Sequence, residues 1–228
     1  MESEVNGILV AAHDLKAPLS LLRQLAFSLD YADEQGRAGI RDEMISVSDR
    51  ALRQVNDLTK IARLEDGLFA LEPVSIRGVC DEVTSELAYL FRYNNRDLQK
   101  KYSNHSRLVL ANRELLYSVV YNFCLNAMHY STEETLSELV VKDYKGGVRF
   151  SVRDYGPALP ADVWREMKRG WLERPTSIAM RPGSSGLGLF IASRFSRYMH
   201  CHVGAIRHRD GTSFFVDFPV SRQVSLFA

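Results

Sequence analysis

Between Val5 and Leu29 the apolar residues fall at Val5, Ile8, Ala12, Leu15, Leu19, Leu22, Ala26 and Leu29, in alternating steps of three and four. That spacing is the seam of a coiled-coil-like helix, whose apolar stripe must be covered by another element. A second series, Ile40, Met44, Val47, Ala51, Leu58 and Ile61, follows a breaker stretch around Gly36 and Gly39 and stops near Gly67. Gln54 stands in this second seam, with Val55 beside it. Two such helices form an antiparallel hairpin, and one hairpin covers only one side of each stripe. Two solutions are open: two hairpins pair into a four-helix homodimer, or the hairpin packs on the rest of its own chain. The dimer is the more economical.

Composition narrows the function classes. Lys and Arg total 29 against 28 Asp and Glu, a net charge of +1, so nothing in bulk electrostatics points to nucleic acid or an anionic membrane. With 46% hydrophobic and 25% charged residues the chain is an ordinary globular one. Cys80, Cys124 and Cys201 lie far apart and form no CxxC pair, which argues against a disulfide framework or structural zinc and for a reducing, cytoplasmic setting. The acidic start MESEVNG lacks the charge of a signal peptide, and no apolar run approaches the roughly 18 residues of a spanning helix.

On the first helix His13 follows seam residue Ala12 and is expected to point toward solvent, with Asp14 directly after it. Pro18 lies within the pattern, so a bend is expected there, beside the His–Asp pair. Beyond a short connection at Leu68 to Pro73, the spacing predicts helices over Ile76 to Asn94, Glu114 to Tyr130 and Phe190 to Met199. It predicts strands at Arg107 to Leu110, Leu139 to Lys142, Val148 to Arg153 and Ser213 to Phe218. The middle strands read as a hairpin turning at Lys145, Gly146 and Gly147. This order suggests a two-layer α/β sandwich.

Three polar clusters interrupt the apolar pattern. Asn122 and Asn126 are one helical turn apart, so both amides share a face; they either cap neighbouring backbone or offer hard oxygen ligands to Mg²⁺. Asp154-Tyr155-Gly156-Pro157-Ala158 follows a strand and is either plain turn chemistry or part of a site. Gly183-Ser184-Ser185-Gly186-Leu187-Gly188-Leu189 leads into a helix, a geometry that suits either a hinge or a phosphate cradle.

Taken together and in this order, the pieces resemble the catalytic core of bacterial two-component sensor histidine kinases, from Val5 to about Pro219. His13-Asp14-Leu15-Lys16-Ala17-Pro18-Leu19 resembles the phospho-acceptor box, and Asn122 to Ala127 with His129-Tyr130-Ser131 the N box. Asp154 to Ala158 resembles the first glycine box, Gly183 to Leu189 the second, and Gly211-Thr212 the late Gly-Thr. The resemblance implies a dimerisation and phosphotransfer hairpin over residues 1–67, a linker at 68–73, a Bergerat-type ATP-binding sandwich over 74–220 and a tail at 221–228. It implies that His13 attacks the γ-phosphate of ATP while Asp14 orients its ring. Asn126 would ligate Mg²⁺ with Asn122 in support, and Tyr130 would pack on the nucleotide. Asp154 would accept from the adenine amine, with Gly156 allowing close approach and Thr212 assisting through water. His129, Ala158, Ser185, Gly186, Leu187 and Gly188 complete the implied nucleotide contacts. The implied partners are a second copy, a response regulator receiver domain and a separate sensor or input protein. Residues 167–185 fit a lid, in which Arg174 and Arg181 are candidate phosphate contacts.

Three departures from the family pattern stand out. His129 replaces the usual N-box lysine, and Ala158 replaces the second glycine of the first glycine box. Ala17 stands where many relatives carry a Thr or Asn that positions water for dephosphorylating the regulator. Asn122 occupies the position at which hydrolases sharing this pocket carry a water-activating glutamate, which disfavours hydrolysis. The alternative from another class is a dimeric phosphotransfer adaptor or pseudokinase that does not use ATP. Only Met1 to Ala12 precede His13, so either a fragment of a longer kinase or a small kinase taking its input from another protein is expected.

Overall fold

The computed structural model describes residues 15–103, 107–132, 135–161, 164–165 and 187–219. Contacts divide the chain into two compact units, residues 1–63 with 173–190, and residues 64–172 with 191–228.

The described part of the first unit contains helices α1 (Lys16–Ser28) and α2 (Glu34–Ala62), packed on each other as a hairpin. Pro18 sits in the first turn of α1, where its missing N–H removes no intrahelical bond. The loop lies earlier than the glycines suggested: Gly36 and Gly39 are inside α2. Asp33 is the reason, because its extended backbone and its carboxylate, which accepts from Gly36 N at 2.8 Å, start the helix ahead of both glycines. Val47 and Ala51 of the expected seam are buried, but Leu25 is buried on α1 while Leu19 is 60% exposed. Ile45, Leu52 and Val55 are also exposed on α2, leaving the hairpin with an uncovered apolar face in the single chain.

In the second unit, β1 (Glu72–Ser75) leads into α3 (Ile76–Tyr93), capped by Ser75, whose hydroxyl accepts from Gly78 N. Val79, Cys80, Val83, Leu87 and Phe91 form the buried face of α3. β2 (Asp97–Tyr102) and β3 (Leu108–Ala111) follow, and then α4 (Arg113–Tyr130), whose cap Asn112 accepts from Glu114 N and Leu115 N. β4 (Leu136–Tyr144), β5 (Gly147–Arg153), α5 (Leu187–Tyr198), β6 (His202–His208) and β7 (Gly211–Phe218) complete the described elements. β1 pairs antiparallel with β3. The other five strands form one mixed sheet in the order β2-β4-β5-β7-β6, in which only β2 and β4 run parallel.

α3 and α4 pack against this sheet, giving the α/β sandwich. Its core is aromatic: Phe123 of α4 stacks on Phe150 of β5 at 5.9 Å and leans on Phe214 of β7 at 5.7 Å between ring centroids. β1, β2 and β6 are the strands that the hydrophobic pattern did not reveal. β2 (DLQKKY) is a largely exposed edge strand, β6 is the opposite edge, and β1 carries Pro73 in a two-stranded ribbon. Polar residues on an edge blunt unwanted pairing and also erase the alternation that marks a strand.

Among the described residues no helix is long and apolar enough to cross a membrane. On α5, Ser193 and Ser196 are fully buried and neither hydroxyl has a hydrogen-bond partner. Burying a hydroxyl without a partner costs about 1–3 kcal/mol. Ser193→Ala and Ser196→Ala are therefore each expected to raise the urea unfolding midpoint, by about 1 kcal/mol of stability. A lowered midpoint in both would show that the hydroxyls are satisfied in solution.

Candidate functional site

Asp154 lies just past the end of β5, where the chain leaves the sheet beside β7. Its backbone N–H donates to the Thr212 carbonyl at 2.9 Å. In return Thr212 N donates to Asp154 Oδ1 at 3.0 Å, and Gly156 N reaches the same oxygen at 3.3 Å. One carboxylate oxygen is thus committed to the backbone and fixes the side chain. Asp154 is 3% exposed, and burial pushes its carboxyl up to about 6, against the pull of the two backbone donors.

Two glycines are required around it. A Cβ on Gly156 would stand 1.8 Å from the Tyr130 carbonyl oxygen, and a Cβ on Gly211 would stand 2.1 Å from the Asp154 carbonyl oxygen. Gly211 also adopts φ +135°, a conformation open mainly to glycine. The first contact joins the Asp154 loop to the C-terminal end of α4. The second joins it to the start of β7.

The same end of α4 carries the N-box residues. Asn122 Nδ2 donates to the Ser118 carbonyl at 2.8 Å, so this amide follows the backbone-capping alternative through its nitrogen. Asn126 differs: its Nδ2 is buried and has no partner. His129 is exposed and Tyr130 is half-buried. Beyond the helix, Ser131 and Ser137 share a buried hydroxyl contact at 2.9 Å, and Thr132 Oγ1 donates to the Tyr155 carbonyl at 3.1 Å. These ties hold the α4 end against the loop that begins at Asp154.

Asn122, Asn126, His129, Tyr130, Asp154, Gly156, Ala158 and Thr212 therefore belong to one unit. Thr212 contributes through its backbone to Asp154 and is itself 3% exposed. His13, Asp14, Ser185 and Gly186, with the lid at 167–185 and its Arg174 and Arg181, lie outside the described residues. Leu187 and Gly188 open α5. Ser131 belongs to the motif read from the sequence, but its hydroxyl contact with Ser137 carried no spacing signal there. The contact from Arg207 Nε to the Leu159 carbonyl at 2.6 Å, which ties the same loop to β6, left no trace there either.

The locked carboxylate can accept from an N–H donor of a ligand. The Nδ2 of Asn126 is buried without a hydrogen-bond partner, and the carbonyl oxygen of the same amide is the donor type that Mg²⁺ takes. The three cysteine thiols are buried, and burial pushes each of them up, so they stay protonated and unreactive near neutral pH.

Residues 111–222 match the family described as histidine kinase-, DNA gyrase B-, and HSP90-like ATPases. Sensor histidine kinase MtrB of Mycolicibacterium paratuberculosis is 25% identical over 194 residues, covering 82% of this chain and 34% of that protein. The chain spans well under two thirds of the length of the first curated relatives it matches. Histidine kinase AdeS of Acinetobacter baumannii has the same fold, with a TM-score of 0.65 at 14% identity over 92% of this chain and 98% of that one. A histidine kinase ThkA, solved in complex with the response regulator TrrA, aligns with a TM-score of 0.64 at 18% identity, covering 93% of this chain and 60% of that one.

The raised Asp154 carboxyl makes stability depend on pH. Between its ordinary value of 3.8 and about 6, the folded chain holds a proton that the unfolded chain has released. Acid therefore favours folding in that window, and this contribution is lost as pH rises toward 6. Asp154→Asn removes the titration. Its unfolding free energy relative to wild type is expected to climb between pH 4 and 6, by on the order of 2 kcal/mol, and to stay level above. Parallel stability curves across that window would show that Asp154 titrates normally.

Proposed function

We propose, for a chain that belongs to the histidine kinase family and carries an HATPase_c domain over residues 111–222, that it phosphorylates His13 from ATP and passes the phosphoryl group to an aspartate of a response regulator. The observation that carries this reading is the Asp154 carboxylate, locked by Thr212 and Gly156 and tied to the end of α4, the helix on which the buried Asn126 Nδ2 has no hydrogen-bond partner. Asp154 accepts from the exocyclic amine of adenine, and Gly156 lets the base approach. Tyr130 packs on the nucleotide, and His129 offers a donor to it. Ser185, Gly186, Leu187 and Gly188 bring backbone donors to the phosphates. Asn126, with Asn122 beside it, holds Mg²⁺, which when bound neutralises phosphate charge.

In the reaction a neutral imidazole nitrogen of His13 forms the N–P bond as the bond between the γ-phosphorus and the bridging oxygen breaks, and ADP leaves. The proton on the other ring nitrogen is held by Asp14, which keeps the attacking nitrogen free. The remaining acceleration comes from positioning and electrostatics. The exposed Leu19, Ile45, Leu52 and Val55 support a homodimer in which two hairpins cover each other. We assign the hairpin to residues 1–67, the connection to 68–73, the ATP-binding domain to 74–220 and a tail to 221–228, and the setting to the cytoplasm.

Incubation with γ-labelled ATP and Mg²⁺ tests this directly. The expected product is an acid-labile, base-stable phosphoprotein, absent in His13→Gln; undiminished label in that variant would rule out His13 as the acceptor. ATP binding without any label would favour the phosphotransfer adaptor. Ala17 is exposed near the start of α1 and cannot hold a water by a side-chain hydrogen bond. Phosphorylated regulator is accordingly expected to persist in the presence of the chain and ADP, and brisk dephosphorylation would contradict that expectation.

A further inference from the structure

We propose that Arg96 is a positioning residue for the nucleotide end of α4, an inference that rests on the ATP-binding reading above. α3 ends in a turn at Asn94 and Asn95, the latter at φ +52°, and Arg96 N returns to the Phe91 carbonyl at 3.0 Å. This turn presents two side chains to a single residue of the neighbouring helix. Arg96 Nη1 donates to the Met128 carbonyl, and Asn94 Nδ2 lies 3.9 Å from Met128 Sδ while donating to the Leu90 carbonyl at 2.8 Å.

The Met128 carbonyl is where α4 needs help. Ser131 N closes the last helical bond, to the Ala127 carbonyl, but Thr132 N turns away to the Tyr155 carbonyl at 3.5 Å. Continuation of the helix would have brought Thr132 N to Met128, so the helix exit removes that donor. Arg96 supplies a replacement, and its positive charge also suits a helix C-terminus. Arg96 also lines a cavity of about 270 Å³ together with Arg92, Asn95, Asp97, Thr135 and Leu136. Met128 immediately precedes His129 and Tyr130, and the Tyr130 carbonyl is the atom against which Gly156 packs. Arg96 thereby holds one side of the turn that the Asp154 loop holds from the other.

The test compares full-length wild type, Arg96→Ala and Arg96→Lys. Hydrogen exchange of the amides of residues 129–132 in the nucleotide-free chain reads the turn alone. Exchange is expected to speed up about tenfold in Arg96→Ala, as the loss of one charge-assisted hydrogen bond implies, and to recover largely in Arg96→Lys, whose ammonium can also donate to a carbonyl. Titration with ATP is expected to show KM raised about tenfold in Arg96→Ala with kcat at saturation within about twofold, and KM restored in Arg96→Lys. Unchanged exchange in Arg96→Ala would overturn the proposal. So would faster exchange with an unchanged KM, which would leave Arg96 a stabilising cap and nothing more. A wild-type chain that binds no ATP would overturn the reading of function, and with it the positioning role, whatever the exchange data show.

Discussion

The stacking of Phe123 between Phe150 and Phe214 sets the rotation of α4, and the candidate site depends on that rotation. A helix turns by about 100° per residue, so fixing Phe123 against the sheet places Asn122 and Asn126 roughly 60–100° to one side of the contact. Eleven of the eighteen residues of α4 are buried. A helix so enclosed cannot slide or rotate without displacing core volume, and interiors at close packing resist this strongly. The cost of embedding two amides in such a helix is met in different ways: Asn122 gives its nitrogen to the backbone of Ser118, whereas Asn126 stays unpartnered. A buried amide nitrogen without a partner is rare, and this one lies one helical turn before Tyr130.

Asp154 presents the complementary problem. Burial disfavours a carboxylate here and pushes its titration up, yet two backbone donors converge on one of its oxygens. Those donors exist because β7 pairs beside β5 and because the chain turns at once after Asp154, so the sheet register itself supplies Thr212 N. The site is therefore not an addition to the fold. Pairing of Arg153 with Ser213 fixes how far β7 extends past the end of β5, and that overhang holds the acid in place.

The hairpin, α3, α4, α5 and the β4–β5 pair were legible because each buries one face and shows its period. The loop between α1 and α2 lies earlier than Gly36 and Gly39 suggest, because the Asp33 carboxylate caps Gly36 N and starts a 29-residue helix whose length absorbs two glycines of about 1 kcal/mol each. β2 and β6 were illegible for the opposite reason, since edge strands are selected to hide their alternation. Within the site, Asp154, Gly156 and the two asparagines could be named from residue type and local spacing. Arg96 could not, because its role arises from a tertiary neighbour distant in sequence: it meets Met128 across 32 positions.

The same geometry explains why the chain can depart from the family pattern at Ala158 and not at Gly156. Among the described residues the non-glycine positions with positive φ are Asn95, Lys145 and His200, so Ala158 occupies ordinary backbone space where a Cβ is sterically permitted. Gly156 has no such freedom, because its Cβ would meet a main-chain oxygen that the end of α4 cannot withdraw without moving Tyr130. A glycine conserved for local backbone conformation and one kept for close approach look alike in a motif, and only the contact distance separates them. His129 is an exposed residue in the last turn of α4, where the family pattern resembled by this chain has a lysine. Ala158 sits where the fold leaves room, whereas Gly156 and Gly211 keep the pattern because each stands against a main-chain oxygen.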